Sequence, residues 1–238
     1  YALDVTDPGN PTMLWEFGTA QDGDLGYSFG DAVITKHPNS GNWVVLVTSG
    51  YNNASPGDGK GYLYVLDVKT GTILQKIGTG VGNATTPSGF AKIAIWADNA
   101  EKDNTAKWVY GGDLQGNLWR FELTNNNVLK LAVLKDPSGS AQPITTRPEL
   151  AKIYDKRVVY VATGKYLEQS DLATVQKQSL YAIKDDDATT TLDNPRIHGT
   201  GSNKMVQQVF VNVGSARQIA SCNAMNFVND RGYYIDFP

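Results

Sequence analysis

Asp22-Gly23-Asp24 places two carboxylates around a flexible glycine. Such a pair could hold a hard divalent cation, which takes oxygen ligands. Asp-Gly is also the commonest turn chemistry, and a turn is the reading carried forward here. Asp58-Gly59-Lys60-Gly61, part of a long exposed loop running from Asn52, is read in the same way. Gly78-Thr79-Gly80-Val81-Gly82 has the glycines of a phosphate-cradling loop, but the third is displaced and neither a lysine nor a helix follows, so it reads as a flexible connection. His37 and His198 stand far apart, with no acid or nucleophile motif beside either. No nucleophile elbow is present, and no catalytic residue is assigned. The single cysteine, Cys222, excludes an internal disulfide, a CxxC pair and a multi-cysteine zinc site. Cys222 is expected to be buried or in a loop, and pairing with a cysteine elsewhere in a longer parent chain is the alternative.

Composition narrows the classes further. The chain has 238 residues, of which 41% are hydrophobic, enough for a substantial core. Lysine and arginine total 21 against 24 aspartates and glutamates, a net charge of −3, and no basic run occurs. Broad nucleic-acid binding needs a clustered basic surface and is not expected. Apolar stretches are only a few residues long, too short for a transmembrane helix. With 24 glycines, 5 Trp, 12 Tyr, 7 Phe and only 19% charged residues, the chain reads as a β protein with many turns. It opens at Tyr1 within a strand-like run, without an initiator methionine or signal peptide, as a piece of a longer protein would.

The elements that position these residues repeat along the chain. Tyr1-Ala2-Leu3-Asp4-Val5 leads into Met13-Leu14-Trp15-Glu16-Phe17, residues 63–68 into 72–77, and residues 118–123 into 128–134. Leu180-Tyr181-Ala182-Ile183-Lys184 occupies the same place a fourth time. The connecting segments Asp7-Pro8-Gly9-Asn10, Lys69-Thr70-Gly71, 124–127 and 185–187 are rich in turn formers. Before three of the copies comes a run that is apolar on both faces: 43–50, 108–113 and 158–164. This is the pattern of an inner strand buried on both sides. A further short apolar run precedes each of these, at 31–34, 91–96 and 149–153. Four antiparallel strands repeated at about 50–60 residues form a propeller blade with long loops. The expected fold is therefore all-β: a β-propeller, modified or partial, with four-stranded antiparallel blades. Residues 1–238 form one propeller domain or a fragment of one, with three full blades and two partial ones. Residues 205–213 with 233–237 are expected to supply parts of a further blade, and the weak helical signal at 172–178 falls in a loop. The tryptophans Trp15, Trp43, Trp96, Trp108 and Trp119 all lie in or beside strand runs and are expected to pack between blades.

The ordered set of motifs resembles the C-terminal propeller of the PilY1/PilC family of type IV pilus tip proteins. The strings that carry this resemblance are Asp24-Leu25-Gly26-Tyr27, residues 41–53, residues 61–67, Thr163-Gly164-Lys165-Tyr166-Leu167 and Gly232-Tyr233-Tyr234-Ile235-Asp236. The most specific is Tyr110-Gly111-Gly112-Asp113-Leu114-Gln115-Gly116-Asn117-Leu118-Trp119-Arg120-Phe121. The resemblance implies a nine-residue, EF-hand-like calcium loop just before Tyr110, with ligands at positions one, three, five and nine. These fall on Asn99, Glu101, Asp103 and Lys107. The first three can donate oxygens, and Asp98 becomes a fourth donor after a small shift. Lys107 cannot ligate calcium, and the supporting glycine is missing. Calcium is thus the one cofactor implied, and the loop is read as a degenerate site on Asp98, Asn99, Glu101 and Asp103.

The resemblance further implies a non-enzymatic binding domain that supports pilus assembly, retraction control and adhesion. Its partners would be minor pilins, the pilus tip and a host or abiotic surface. Its place would be outside the cytoplasm, at the cell surface or pilus tip, the periplasm or the outer membrane. The alternative is a quinoprotein-type dehydrogenase propeller, whose blades read similarly. That enzyme needs an axial quinone pocket, a metal with carboxylate ligands and an acidic base. Many such enzymes also use adjacent cysteines, which one cysteine cannot supply.

Overall fold

The computed structural model describes residues 1–197, 205–219 and 223–238. His198 and Cys222 lie outside the described residues. Among the described residues, eighteen strands and two short 3-10 helices follow one another. The chain forms two compact units, Tyr1–Val109 with Phe121–Val128, and Tyr110–Arg120 with Leu129–Pro238.

In the first unit, β1 (Ala2–Asp4) and β2 (Thr12–Trp15) form an isolated antiparallel hairpin. Next comes a four-stranded antiparallel meander of β3 (Val33–Lys36), β4 (Trp43–Thr48), β5 (Lys60–Asp67) and β6 (Ile73–Gly82). This is the blade that the repeat predicts. The β-branched, two-faced run of β4 is buried along most of its length, and the four residues 63–66 of β5 are fully buried. Leu25, Val45, Tyr64 and Leu66 make a core cluster, and Trp15 and Phe17 pack against it. The β5–β6 turn shows how the polar connections work. Asp67 Oδ1 accepts the amides of Lys69 and Thr70, each at 2.9 Å. Gly71 then turns at φ +70°, and a Cβ there would lie 2.6 Å from the Trp15 ring. Only glycine meets both demands.

The second set of strands is β7 (Ile93–Asn99), β8 (Asp103–Gly112), β9 (Asn117–Glu122) and β10 (Asn127–Val133). β7 pairs with β8, and β8, β9 and β10 are successive neighbours. In the second unit, β11 (Glu149–Ile153), β12 (Lys156–Ala162) and β13 (Ser179–Asp185) form an antiparallel meander. β14 (Leu192–Asp193) runs parallel to β10. Then come β15 (Met205–Gln208), β16 (Phe210–Val213), β17 (Ala216–Ile219) and β18 (Gly232–Asp236).

The fold is all-β and propeller-like, as expected, but its last blade is built differently from the expectation. β18 does not belong to a further blade. It pairs antiparallel with β13, Ser179 opposite Asp236 through Ile183 opposite Gly232, and so completes the blade of β11, β12 and β13. β15 adds to β18 in parallel, while β16 and β17 form a hairpin of their own. Sequence order hides this closure, because 46 positions separate the end of β13 from the start of β18. The 3-10 helix Gln169–Ala173 overlaps the helical signal at 172–178 only at Leu172 and Ala173, and residues 174–178 are not helical.

Candidate functional site

The β7–β8 hairpin carries the expected calcium ligands. Lys102 N donates to Asn99 O at 2.9 Å and closes its turn. Asp98, Asn99, Glu101, Asp103 and Lys107 are all exposed. The Trp96 indole donates to Asp98 at 2.7 Å. Asp103 accepts the Thr105 hydroxyl at 2.7 Å and pairs with Lys36 at 3.5 Å. The Thr105 hydrogen bond, helped by the charge of Lys36, holds the Asp103 carboxyl below the usual aspartate range. Lys107 Nζ lies 3.8 Å from Glu122 and 4.8 Å from the centre of the Trp108 ring. The carboxylates of Asp98 and Asp103 are thus committed to different neighbours. Among the described residues, no group of three or more His, Cys, Asp or Glu side chains could hold a metal ion. This donor set does not fit calcium, which takes 6–8 oxygens.

Asp22-Gly23-Asp24 forms the turn its sequence suggests, with Leu25 N donating to Asp22 O at 3.1 Å. It also gathers a cation that the sequence reading did not find. Lys76 Nζ lies 2.8 Å from Asp22 and 2.6 Å from Asp24, and 4.4 Å from the centre of the Tyr62 ring. Tyr64 donates to Asp22 at 3.1 Å and Tyr62 to Asp58 at 2.8 Å. Asp58 N donates to Asp24 at 2.7 Å, so the cluster ties the loops around residues 22 and 58 to β5 and β6. Burial pushes the Asp22 carboxyl up, but the bonds from Lys76, Asp24 N and Tyr64 outweigh it and leave the group below its ordinary value. Burial lowers Lys76, and its two carboxylate partners more than restore it. Burial first, then the neighbouring carboxylates, push both tyrosines well above their usual value. The register was the usable signal: Tyr64 stands directly opposite Lys76.

The Gly-Asp-Leu motif folds around a fully buried carboxylate. Asp113 accepts the amides of Gln115 and Asn117 at 2.9 Å, the Asn117 side-chain amide at 2.9 and 3.1 Å, and the Trp119 indole at 2.8 Å. Gly116 turns at φ +77°, and the chain reverses from β8 into β9. Burial raises the Asp113 carboxyl, opposed by all of these donors. The motif is thus a hairpin built around its own acid, and Trp119 is 3% exposed. Of the other tryptophans, Trp108 is buried and Trp43 is exposed.

A third polar cluster lies in the second unit and was not foreseen. Asp185 ends β13 fully buried, where Tyr110 donates to it at 2.6 Å and Arg120 at 2.5 Å. Arg157 donates to Tyr110 at 3.0 Å and also bonds Asp187. Arg196, elsewhere in this unit, bonds Asp236 and Ser179, and its guanidinium lies 4.8 Å from the Tyr234 ring centre. Arg120 and Arg157, inside otherwise apolar strand runs, were the signal for the Asp185 cluster, since a buried charge must be paired. His37 is buried, with Nδ1 accepting Asn39 N at 3.3 Å.

Each of these clusters links strands to loops, and together with the blades they define an all-β scaffold of the propeller class. A family model described as the PilY1 beta-propeller domain matches the chain over residues 1–132 and again over 129–223. The type IV pilus biogenesis factor PilY1 of Pseudomonas aeruginosa is 32% identical over 279 aligned positions, spanning 100% of this chain and 23% of that protein. A PilY1 homolog of Xylella fastidiosa is 27% identical across 99% of the chain and 17% of its own length. The crystal structure of the Pseudomonas aeruginosa PilY1 C-terminal domain superposes with a TM-score of 0.78 at 30% identity, covering 99% of this chain and 56% of that one. The chain belongs to the PilY1 β-propeller family. It spans about a quarter or less of the full-length relatives.

Proposed function

We propose that the chain is the non-enzymatic binding domain of a type IV pilus tip-associated protein, acting in pilus assembly, retraction control and adhesion. Its family supports this reading, and one structural observation carries it. Within its most specific motif the Asn117 and Trp119 side chains turn inward onto Asp113, a scaffold role that leaves function to loops held on rigid blades. Minor pilins and the pilus tip are the partners proposed, with a host or abiotic surface as the adhesive target. The proposed location is outside the cytoplasm, at the cell surface or pilus tip, the periplasm or the outer membrane. Calcium is not assigned a role in it. The test is an in-frame deletion of residues 1–238 in the producing bacterium. Surface pili and twitching motility should be lost and restored by the intact gene. Unchanged piliation and motility would refute the reading, and fluorescence changes on adding pyrroloquinoline quinone with calcium would favour a quinoprotein instead.

A further inference from the structure

Arg231 stands just before β18 in the second unit. Lys184 N donates to Arg231 O at 2.8 Å, which sets Arg231 opposite Lys184, one step beyond the last strand pair, Ile183 with Gly232. The turn that leads into it is fixed. Lys184 Nζ donates to Phe227 O at 2.9 Å and to Val228 O at 3.2 Å, and Asp230 accepts Asn226 N at 2.7 Å. This frame presents a cation without a partner. Among the described residues the Arg231 side chain donates no hydrogen bond and forms no ion pair. The residue is partly buried, yet its guanidinium nitrogens still reach solvent. Burial pulls the guanidinium below the ordinary arginine value, the charge of Arg120 adds to this, and Asp185 and Asp186 oppose it incompletely.

The surrounding carboxylates are engaged elsewhere. Asp185 accepts Tyr110 and Arg120, and Asp187 is bonded by Arg157. Asp186 lies 3.4 Å from Lys156 and 3.7 Å from Lys184. With Asp230, four carboxylates thus face five cations, and Arg231 is the one in surplus. A desolvated charge is costly unless it is paired, so this arginine is held ready for a group that the domain does not itself supply.

We infer that Arg231 is the receptor for a single carboxylate, presented by an acidic side chain of a docking protein. The planar guanidinium fork matches a carboxylate with two parallel hydrogen bonds. The charge balance selects a monoanion: one negative charge neutralises the surplus, whereas the second charge of a phosphate would meet Asp185 and Asp186 uncompensated. The source follows from affinity. One charge-assisted pair alone corresponds to a Kd of about 6–80 mM, so steady occupancy needs the wider contact surface that a protein brings with its acidic side chain. This inference needs no pilus role and stands or falls apart from it.

The test uses the polypeptide as its gene encodes it. Phenylglyoxal modifies its accessible arginines, and the rate at each is mapped by mass spectrometry. Arg231 should react at least about 10-fold faster than the ion-paired Arg120 and Arg196, whose charged hydrogen bonds must break first. The probe is the α-amide of N-acetylglutamic acid, whose one charge is its side-chain carboxylate. At about 0.2 M it should slow modification of Arg231 at least about 3-fold. The neutral glutamine counterpart, at matched ionic strength, should give no protection. Equal reactivity of the three arginines, protection by the glutamine compound, or stronger protection by inorganic phosphate overturns the inference. A second readout separates binding from a structural role. Arg231→Met removes an unpaired charge and should leave the melting temperature unchanged or higher, whereas a fall of more than about 3 °C would mark a structural arginine and overturn the assignment.

Discussion

Replacing Asp113 with alanine removes one carboxylate and strands the donors folded around it. The Trp119 indole and the Asn117 side-chain amide are buried with Asp113 as their acceptor, at 2.8 and 2.9 Å. An unsatisfied buried donor costs about 1–3 kcal/mol, so these two alone give roughly 2–6 kcal/mol. Two backbone amides of the turn, at Gln115 and Asn117, lose their acceptor as well. Against this, the variant no longer buries a charge, whose cost shows in the raised Asp113 carboxyl. The net loss expected is about 3 kcal/mol, a large share of a typical domain's 5–15 kcal/mol. Asp113→Asn keeps the shape and one acceptor oxygen but turns a second group into a donor, and should lose about half as much. Urea unfolding followed by tryptophan fluorescence and circular dichroism measures both. A loss below about 1 kcal/mol for Asp113→Ala would refute the claim that this acid organises the hairpin.

Trp119→Ala should cost about 3–5 kcal/mol in the same assay, because the side chain is 3% exposed, and a near-neutral effect would mark it as a surface residue. Lys76→Met should destabilise by about 1–2 kcal/mol, since it leaves Asp22 and Asp24 facing each other without their cation, while Lys76→Arg recovers part of the loss. Asp22 and Asp236 have folded carboxyls below the ordinary aspartate value of about 3.9, so the stability they add is present above that pH and lost as pH falls through the lower folded values. The melting temperature should therefore drop below about pH 4, and the drop should shrink in Asp22→Asn. Calorimetry on metal-stripped protein should find calcium binding no tighter than about millimolar, and Lys107→Asp should strengthen it. Micromolar binding abolished by Asp103→Ala would restore the calcium loop.

Strand positions were legible because two-faced apolar runs and aspartate-rich turns have strong local signatures. Residues 149–153 fall on β11 without adjustment, and Gly116 supplies the positive φ of the turn at 113–117. Pairings between distant segments were not legible. β18 reaches β13 across a long intervening stretch, and neither strand's own residues name its partner. The bonding of the expected calcium ligands was hidden for a related reason. Spacing places Asp98 and Asp103 on one hairpin, but Trp96, Thr105 and Lys36 decide where their carboxylates bond, and Lys36 comes from β3. The cluster at Asp22 and Asp24 shows the converse, since its cation arrives from β6, 52 residues beyond Asp24.

Direct binding to minor pilins tests the central claim. The purified domain, immobilised as a folded protein, is titrated with the minor pilins of the same bacterium by biolayer interferometry. Saturable binding with Kd of about 10 μM or tighter is expected, weakened by charge substitutions in exposed loops and unaffected by chelating calcium. No binding up to about 100 μM, with the fold intact by circular dichroism, would contradict it.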